Sequence, residues 1–575
     1  MNPLSQDVSS MRSSPGPGSK RERAKNLSIG RLALVMGIVA GLAVVLTLDG
    51  PGLTIDEPLD VRPGRTYVDV LRQEGWHFFD RSAVDRVFGD NAEHPPLGRW
   101  LLGIASELGE PIEVLWKGPD PTGHYVLAGR LAPAFAFAAL VSLVTLVAGR
   151  RWGPVAGAAA GFALLAMPRV FAHAHLAALD TFLSLFWTLA LIAGDRALRA
   201  KRPVVAMAAA GLVWALALLT KIHAWFLWPI LTAWACVLLP PRRALVAMSV
   251  WTTVGICLYA LGWPWLWYDS WHRIGAYWGT GVARSSIMVQ YFGQVVADRD
   301  VPWHYPWFYF AVTVPVGLLA LGAVGVARGW RERRADLFPL LLLATIVVFL
   351  GLFSTRVPVY DGERLFLHVF PAWALLVGHG FGWLWDRQIT SRTGRAVLGG
   401  FLIIQIYGTL ALHPFGLSYY SALIGGLRGA ERAGLELTYW NDPVDQVLLD
   451  RLAREADAGA TAALAPTLYP GQGILTTNRA LARRNVILRD EDEGLRAEWL
   501  VLSRRTAYWH AQLIERLRNG DGRLVALRSR QGVWLAALWH FPSSGQQRRE
   551  EKSDGGATRR PSDVSAKSPV AKTAQ

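Results

Sequence analysis

The chain has 575 residues, of which 52% are hydrophobic and only 18% are charged, and its mean hydropathy is +0.24. These values exclude an ordinary soluble protein and predict a polytopic membrane protein, because several apolar runs approach the roughly 20 residues that a spanning helix needs. The net charge of +15 does not indicate nucleic-acid binding, since Lys and Arg are dispersed between the apolar runs. The two cysteines, Cys236 and Cys257, predict neither a disulfide framework nor a metal site.

Residues 1–30 are rich in Ser, Pro, Gly and basic residues, and this composition predicts a disordered cytoplasmic tail. An apolar run from residue 31 to about residue 48 follows it. A basic segment before an apolar run could be a cleaved signal peptide, but no small-x-small cleavage site follows. We therefore predict a retained first transmembrane helix.

Further apolar runs recur along the chain, so that the α-helical polytopic fold is predicted to have about eleven transmembrane helices. Basic-rich and basic-poor connections alternate between the runs, as expected when cytoplasmic loops carry the excess of Lys and Arg. The alternation predicts a multi-pass protein with the N-terminus cytoplasmic and the C-terminus extracytoplasmic. We expect it in the plasma (inner) membrane. After the first run, the runs cover residues 128–148, 153–167, 175–195, 204–220, 223–240, 244–262, 307–327, 337–353, 364–385 and 396–412.

This orientation puts residues 49–127, residues 263–306 and the region after about residue 412 on the external side. The loop 263–306 begins with GWPWLWYDSWHRIGAYW, whose aromatic residues predict a segment that lies in the membrane interface. The more polar region 413–541 predicts a small α/β domain, and a disordered tail is predicted for 542–575. Within the small domain we predict strands at 462–465, 485–488 and 499–502, helices at 444–456 and 508–517, and a hairpin at 523–541.

Two adjacent carboxylates, Asp56 and Glu57, stand in the large first external loop, just after the first apolar run. A carboxylate pair at a membrane surface suits proton or metal chemistry. The alternative is that both residues cap a helix and face water, since acidic residues favour helix starts. The same loop carries His94 and Arg99 in EHPPLGRW, at the start of an amphipathic run.

Three further clusters of ionisable residues lie beside apolar runs on the predicted external side. Such residues cost roughly 2.5–3.5 kcal/mol each at the centre of a membrane helix. Singly, each has a structural explanation: Lys221 could snorkel, Asp180 could bond a neighbouring helix, and Arg364 could anchor a span. Together with the first loop they predict a site that binds a phosphate and handles a proton. The clusters are Arg169, His173, His175 and Asp180; Lys221 and His223; and Asp361, Glu363, Arg364 and His368.

The ordered segments IDEP, EHPPLGRWLLG, RVFAHAHLAALD, LLTKIHAWF and GERLFLHVFP resemble the family-39 glycosyltransferases. These are bacterial relatives of the dolichyl-phosphate-mannose protein mannosyltransferases and of the lipid A aminoarabinose transferases. The resemblance covers about residues 31–440 and implies a GT-C transmembrane domain at 31–412. Two features depart from the family: the C-terminal region differs from the sugar-recognition module of the eukaryotic enzymes, and Arg99 stands where many relatives have a lysine. A guanidinium can still hold a phosphate, and can do so bidentately.

The resemblance implies an inverting transfer of a sugar from a polyprenyl-phosphate donor to an acceptor hydroxyl at the external face of the bilayer. The acceptor would be a protein, as in O-mannosylation, or a glycolipid. Asp56 would act as the base, and Glu57 would assist it or orient the acceptor. Some GT-C enzymes use a divalent metal, Mg²⁺ or Mn²⁺, and others do not; Asp56, Asp180 and the histidines could ligate one. The implied phosphate-binding residues are Arg364, Lys221 and Arg99, and His94, His173, Asp180, His223 and Glu363 would also line the substrate site.

Several functions stay open at this point. Within glycosyl transfer, protein O-glycosylation and transfer to a lipid or envelope glycan are not separable. A transporter of lipid-linked sugar would predict an inverted repeat with broken helices in matching halves, and the sequence has no such repeat. A non-catalytic membrane scaffold is the third alternative, against which the intact Asp56–Glu57 pair argues.

The predicted topology can be tested with a reporter that works only in the cytoplasm. Fused to the C-terminus, it is expected to be silent, whereas the same reporter fused to the N-terminus is expected to be active. Both fusions need matched membrane insertion. A strong signal from the C-terminal fusion would contradict the topology and would move the candidate residues to the cytoplasmic face.

Overall fold

The computed structural model of the protein describes residues 17–89, 92–283, 285–491, 497–519 and 522–542. The described residues are mainly helical up to about residue 455, and a five-stranded sheet follows. Residues 1–16, about half of the tail predicted at 1–30, lie outside the described residues. The tail from residue 543 also lies outside them. The first helix begins at Pro17, inside the stretch whose composition predicts disorder.

The helices up to residue 412 account for the predicted apolar runs. In the membrane part, the long helices are Pro17–Val45, Leu131–Trp152, Pro154–Leu165, Asp180–Leu198, Pro203–Leu218, Leu227–Leu238, Pro241–Gly262, Val316–Glu332, Phe338–Leu352, Phe370–Trp383 and Arg392–Ile403. The connecting helices and turns are Glu57–Glu74, Gly75–Phe79, Arg81–Phe88, Leu97–Lys117, Val126–Gly129, Pro168–His173, Ile222–Phe226, Pro264–Trp267, Ser270–Ala283, Tyr305–Thr313, Arg364–Val369, Leu384–Gln388, Ile404–Ile406 and Tyr407–Leu412.

By length and apolar composition, six helices of the described chain could cross a membrane, or seven if one bent pair forms a single span. Four shorter apolar helices accompany them, at Pro154–Leu165, Pro203–Leu218, Ile222–Leu238 and Phe338–Leu352. Each of the eleven predicted runs falls on one of these helices or on the bent pair. The structure therefore supports a helical, multi-pass membrane protein, while the number of membrane crossings stays a prediction.

The predicted run at 307–327 is not one continuous helix but two helices joined by a bend, and whether they form one span stays a prediction. The helices Tyr305–Thr313 and Val316–Glu332 meet at an angle of 111°. Pro315 lies at the break, and Val314 before it has an extended backbone with φ −92° and ψ 133°. Proline lacks the N–H that continues a helix and forces its predecessor out of the helical region. Pro315 inside the apolar run was therefore a usable sequence signal for this bend.

Two glycines bring the helices of the first loop together. A Cβ at Gly64 in Glu57–Glu74 would lie 2.1 Å from the Arg99 carbonyl, and one at Gly103 in Leu97–Lys117 would lie 2.1 Å from the Gly64 carbonyl. A larger side chain at either position would push the two helices apart. The close crossing fixes the start of Glu57–Glu74 relative to Arg99.

The second loop contains a helix and a hairpin. The interfacial segment predicted from its aromatics contains the helix Ser270–Ala283. The strands Met288–Tyr291 and Gln294–Ala297 pair antiparallel around a two-residue turn at Phe292 and Gly293, both of which have positive φ. Such turns match the twist of paired strands. The hairpin was not predicted from the sequence.

The five-stranded sheet confirms the strands predicted near the C-terminus, although the strand predicted at 485–488 lies two residues later, at Ile487–Asp490. Its order is Ile487–Asp490, Thr461–Ala465, Trp499–Ser503, Val533–His540 and Arg523–Arg530. The first three strands are parallel and the last two form the predicted antiparallel hairpin. The helices Gln446–Glu455 and Ala511–Asn519 fall within the two predicted helical segments, apart from the last two residues of the second. Short helices and turns in this region are Gly416–Ser418, Ala422–Ile424, Gly426–Arg432, Gln472–Leu475, Arg479–Arg483 and Thr506–Tyr508.

The segment before the sheet is hydrogen-bonded to the start of the first loop. The N–H of Gly52 donates to the Asp442 carbonyl at 2.8 Å, and that of Ile55 donates to the Trp440 carbonyl at 3.3 Å. A Cβ at Gly52 would lie 2.1 Å from the Val444 carbonyl, so only glycine permits this approach. These contacts place the residues around 440 directly beside Asp56.

Candidate active site

A single guanidinium, that of Arg364, joins three carboxylates from distant parts of the chain. Its Nη1 donates to Asp361 at 3.0 Å, its Nε lies 3.5 Å from Asp180, and its Nη2 donates to Asp56. The ring of Trp440 covers the guanidinium, with 4.0 Å between Cζ and the ring centre. Arg364 is buried, and its pairing with several carboxylates offsets the cost of removing its charge from water.

A second cation, Lys221, shares Asp180 with Arg364. The Lys221 ammonium donates to Asp180 Oδ1 at 2.6 Å, and both residues are buried. Lys221 has an extended backbone between the helix Pro203–Leu218 and the turn Ile222–Phe226. The side chain of Asp56 is 28% exposed, whereas that of Asp180 is 3% exposed. Of these two carboxylates, Asp56 is therefore the one that a substrate could reach.

Glu57 differs from its neighbour because all of its accepting capacity is used inside the protein. It is fully buried and accepts five hydrogen bonds. Two come from Arg130 Nε and Nη2 at 2.7 and 2.8 Å, two from the N–H and hydroxyl of Thr54 at 2.8 and 3.0 Å, and one from the N–H of Ala177 at 2.7 Å. The remaining donors of Arg130 bind backbone carbonyls of residues 48, 51 and 52. Glu57 thus holds the segment that carries Asp56.

Two of the predicted histidines lie around the carboxylate cluster. Burial and nearby cations, first among them Lys221, lower the pKa of His94 well below its ordinary value. The Nε2 of His173 lies 3.3 Å from the hydroxyl of Tyr439, and its ring meets the ring of Trp440 edge to face. Burial lowers the pKa of His173 to about 3. Both imidazoles are therefore neutral near pH 7 and are suited to hydrogen bonding rather than to charge pairing.

His223 lies beside His368, with 5.8 Å between the ring centres. Both rings are buried among aromatic residues, including Phe349 and Phe353. Among the described residues, neither ring nitrogen of His368 has a hydrogen-bond partner. His223 therefore lies next to the Lys221 region but outside the carboxylate cluster itself.

Arg99 is paired with Asp60 in the first loop. Its Nε donates to Asp60 Oδ1 at 3.1 Å, and both residues are buried. Burial raises the pKa of Asp60 to about 6, although the charge of Arg99 opposes this shift. The pair packs between the helices Glu57–Glu74 and Leu97–Lys117, so the phosphate role predicted for Arg99 stays a prediction.

Glu363 forms a separate buried ion pair. Its carboxylate accepts from Arg169 Nη1 at 2.5 Å, and Arg169 also donates to the Tyr419 carbonyl at 2.9 Å and lies over the Tyr420 ring. Glu363 is fully buried. The structure thus brings Asp56, His173, Asp180, Lys221 and Arg364 together, with His94 nearby, and puts Glu57 and Glu363 in separate ion pairs.

Residues near the C-terminal sheet also reach the cluster, and the sequence analysis did not select them. They include Trp440, Tyr439, Arg505 and Tyr469. The hydroxyl of Tyr469 donates to the Ile55 carbonyl at 3.2 Å. LELTYW belongs to the stretch that resembles the glycosyltransferase family, which was a usable signal for Tyr439 and Trp440. Arg505 had no such signal, because it lies beyond that stretch.

The two carboxylates predicted as metal ligands, Asp56 and Asp180, already have cationic partners. Asp180 accepts from Lys221, and Arg364 contacts both carboxylates. Within the residues that the structure describes, no three His, Cys, Asp or Glu side chains form a group that could hold a metal ion. A divalent ion would have to displace these cations, so the donor set does not fit one.

No protein-family model and no curated protein sequence matches the chain. The structure is similar to that of ArnT from Cupriavidus metallidurans bound to undecaprenyl phosphate, with 16% identity, a TM-score of 0.47 and coverage of 89% of this chain and 98% of that chain. Apo ArnT from the same organism has 15% identity and a TM-score of 0.48, with coverage of 89% of this chain and 98% of that chain. A third similar structure is the archaeal oligosaccharyltransferase AglB from Archaeoglobus fulgidus, in complex with an inhibitory peptide and a dolichol-phosphate. It has 11% identity and a TM-score of 0.42, with coverage of 90% of this chain and 74% of that chain.

The Glu57–Arg130 pair generates a stability prediction. Arg130→Met leaves a buried carboxylate without its cation, a loss that typically costs about 3–5 kcal/mol. We expect a clearly lower unfolding temperature for the purified protein in detergent. Arg150→Met, at an exposed position, is the matched control and should unfold like the wild type. Equal unfolding temperatures for all three proteins would contradict a supporting role for this pair.

Proposed function

We propose that the chain is an inverting glycosyltransferase that moves a sugar from a polyprenyl-phosphate donor to an acceptor hydroxyl at the external membrane face. The observation that carries this proposal is the Asp56–Arg364 ion pair with Lys221 beside it, in a protein with several apolar helices. The reaction needs a base for the acceptor and positive charge for the departing phosphate. The cluster offers both within a few ångströms.

Arg364 and Lys221 are the proposed phosphate-binding residues. Both are buried beside carboxylates, so an incoming phosphate would meet cations that are already oriented. Charge-assisted hydrogen bonds to phosphate are among the stronger ones, and they stabilise the charge that develops on a leaving group. The donor phosphate would take the place of Asp56 on Arg364. Asp180 would keep both cations in position during this exchange.

Asp56 is the proposed base. Once the donor phosphate binds Arg364, the partly exposed carboxylate of Asp56 is available to accept the proton of the attacking hydroxyl. The hydroxyl attacks the anomeric carbon as the bond from that carbon to the phosphate oxygen breaks, which inverts the configuration. The neutral imidazoles of His94 and His173 would hydrogen-bond the sugar or the acceptor. Glu57 would orient Asp56 through the backbone that it holds.

The acceptor and the sugar are finer parts of the same proposal. The family resemblance implies a mannose-like hexose and a protein or glycolipid hydroxyl. A carboxylate base at an exposed position serves either acceptor, because it contacts only the attacking hydroxyl.

Asp56→Asn tests the proposed base. Asn keeps the size of the side chain but cannot accept a proton at neutral pH. Because general-base catalysis typically contributes about 10²–10⁴-fold, sugar transfer should fall by that order. The control is Asp69→Asn, whose carboxylate lies farther along Glu57–Glu74 and is 45% exposed. Transfer within a few-fold of wild type, at matched membrane insertion, would rule out Asp56 as the base.

Arg364→Ala tests the phosphate contact, with undecaprenyl phosphate as the binding probe. Loss of a charge-assisted contact typically costs about 1.5–3 kcal/mol, which corresponds to an increase of roughly 10- to 100-fold in Kd. Arg364→Lys keeps the charge, so its Kd should lie between those of the wild type and Arg364→Ala. Arg356→Ala, at an exposed position nearby, is the control. An unchanged Kd in folded Arg364→Ala would make Arg364 a purely structural residue.

A further inference from the structure

Arg505 enters the candidate site from the C-terminal sheet. It follows the strand Trp499–Ser503 by two residues and precedes the turn Thr506–Tyr508. Its side chain is buried, with a relative exposure of 3%. A buried guanidinium needs hydrogen-bond acceptors. Arg505 finds them in the loop before Arg364 and in the segment that contains Tyr439.

The contacts of Arg505 bridge these two segments. Its Nη2 donates to Asp361 Oδ1 at 3.0 Å, and its Nη1 donates to the Tyr439 carbonyl. Its Nε lies 3.9 Å from Glu436 Oε1. Because Arg364 occupies the other oxygen of Asp361, this carboxylate stands between two guanidinium groups. An uninterrupted series of ion pairs therefore runs from Arg505 through Asp361 and Arg364 to Asp56.

The backbone at Asp361 is held in an uncommon conformation. Asp361 has φ 56° and Gly362 has φ 64°, both in the left-handed region. A non-glycine residue is uncommon there and persists when its surroundings fix its position. The ion pair with Arg505 is one such contact, and a hydrogen bond of 3.0 Å from the N–H of Gly362 to the hydroxyl of Tyr305 is another.

We propose that Arg505 is a positioning residue, which fixes Asp361 and thereby holds the Arg364 guanidinium where it pairs with Asp56 and, once the donor binds, with the donor phosphate instead. The inference rests on the proposed function and extends it: the C-terminal sheet contributes to donor binding through one side chain. Arg505 itself does not touch the phosphate.

The charges around Arg505 explain why its role is specific. Burial raises the pKa of Glu436 to about 8, although Arg505 opposes this shift, so Glu436 is mostly neutral near pH 7. The charge of Arg505 is then balanced mainly by Asp361. Without Arg505, Arg364 would be the one cation among the described residues within 4 Å of Asp361. The guanidinium that Asp56 and Asp180 now share would be drawn towards Asp361.

Arg505→Gln should raise the Kd for undecaprenyl phosphate about tenfold, and Arg505→Lys should recover part of the loss, because an ammonium can still pair with Asp361. The control is Arg504→Gln. Arg504 is also buried, but it donates to Glu431 at 2.6 Å and to the Trp534 carbonyl at 3.2 Å, away from the cluster. The Arg504→Gln variant should bind undecaprenyl phosphate with the Kd of the wild type.

The same substitution in an Asp361→Asn background separates positioning from general support of the fold. If Arg505 acts through Asp361, Arg505→Gln should change the Kd less than twofold in that background. A tenfold change in both backgrounds would overturn the inference, and so would an effect of Arg505→Gln equal to that of Arg504→Gln. If Arg364→Ala itself leaves the Kd unchanged, the proposed function fails and this inference fails with it. If Arg364→Ala weakens binding but the Arg505 variants do not, only this inference fails.

Discussion

The candidate site depends on one buried cation, Arg364, that three carboxylates share. Asp56 comes from the start of the first loop helix, Asp180 from the start of a long apolar helix, and Asp361 from a loop with a left-handed backbone. Loss of the guanidinium would leave Asp56 without its cation, and Asp180 and Asp361 would keep only Lys221 and Arg505, respectively. Breaking such buried pairs is more costly than breaking an exposed ion pair. The arrangement therefore fixes three distant chain segments relative to one another, and Trp440 closes it from the C-terminal side.

Adjacent carboxylates in this protein have different surroundings and hence different proposed roles. Asp56 has one cationic partner and an exposed edge, whereas Glu57 is enclosed by Arg130, Thr54 and the Ala177 N–H. A base must exchange its partner for a proton during the reaction, and a carboxylate with five internal hydrogen bonds resists that exchange. The burial of Glu57 lets it hold the segment on which the reactivity of Asp56 depends.

Much of the fold follows from local sequence pattern. The apolar runs and the strands near the C-terminus were predictable because hydrophobic length and alternation are local signals. The 111° bend at Pro315 and the hairpin of strands Met288–Tyr291 and Gln294–Ala297 were missed, since they depend on turn chemistry inside aromatic or apolar stretches. For the site, ionisable residues beside apolar runs identified the clusters. Their pairing, as in Glu363 with Arg169, and the arrival of Arg505 depend on contacts between segments far apart in sequence, which no local pattern encodes.

The most direct test of the central claim uses the purified wild-type protein and a panel of radiolabelled polyprenyl-phosphate sugars. Release of polyprenyl phosphate is scored by hydrolysis or by transfer to added acceptors. The account predicts release from at least one member of the panel, with inversion at the anomeric carbon of the transferred sugar. Stable binding of the donors without any release, or a product that retains the donor's anomeric configuration, would contradict it.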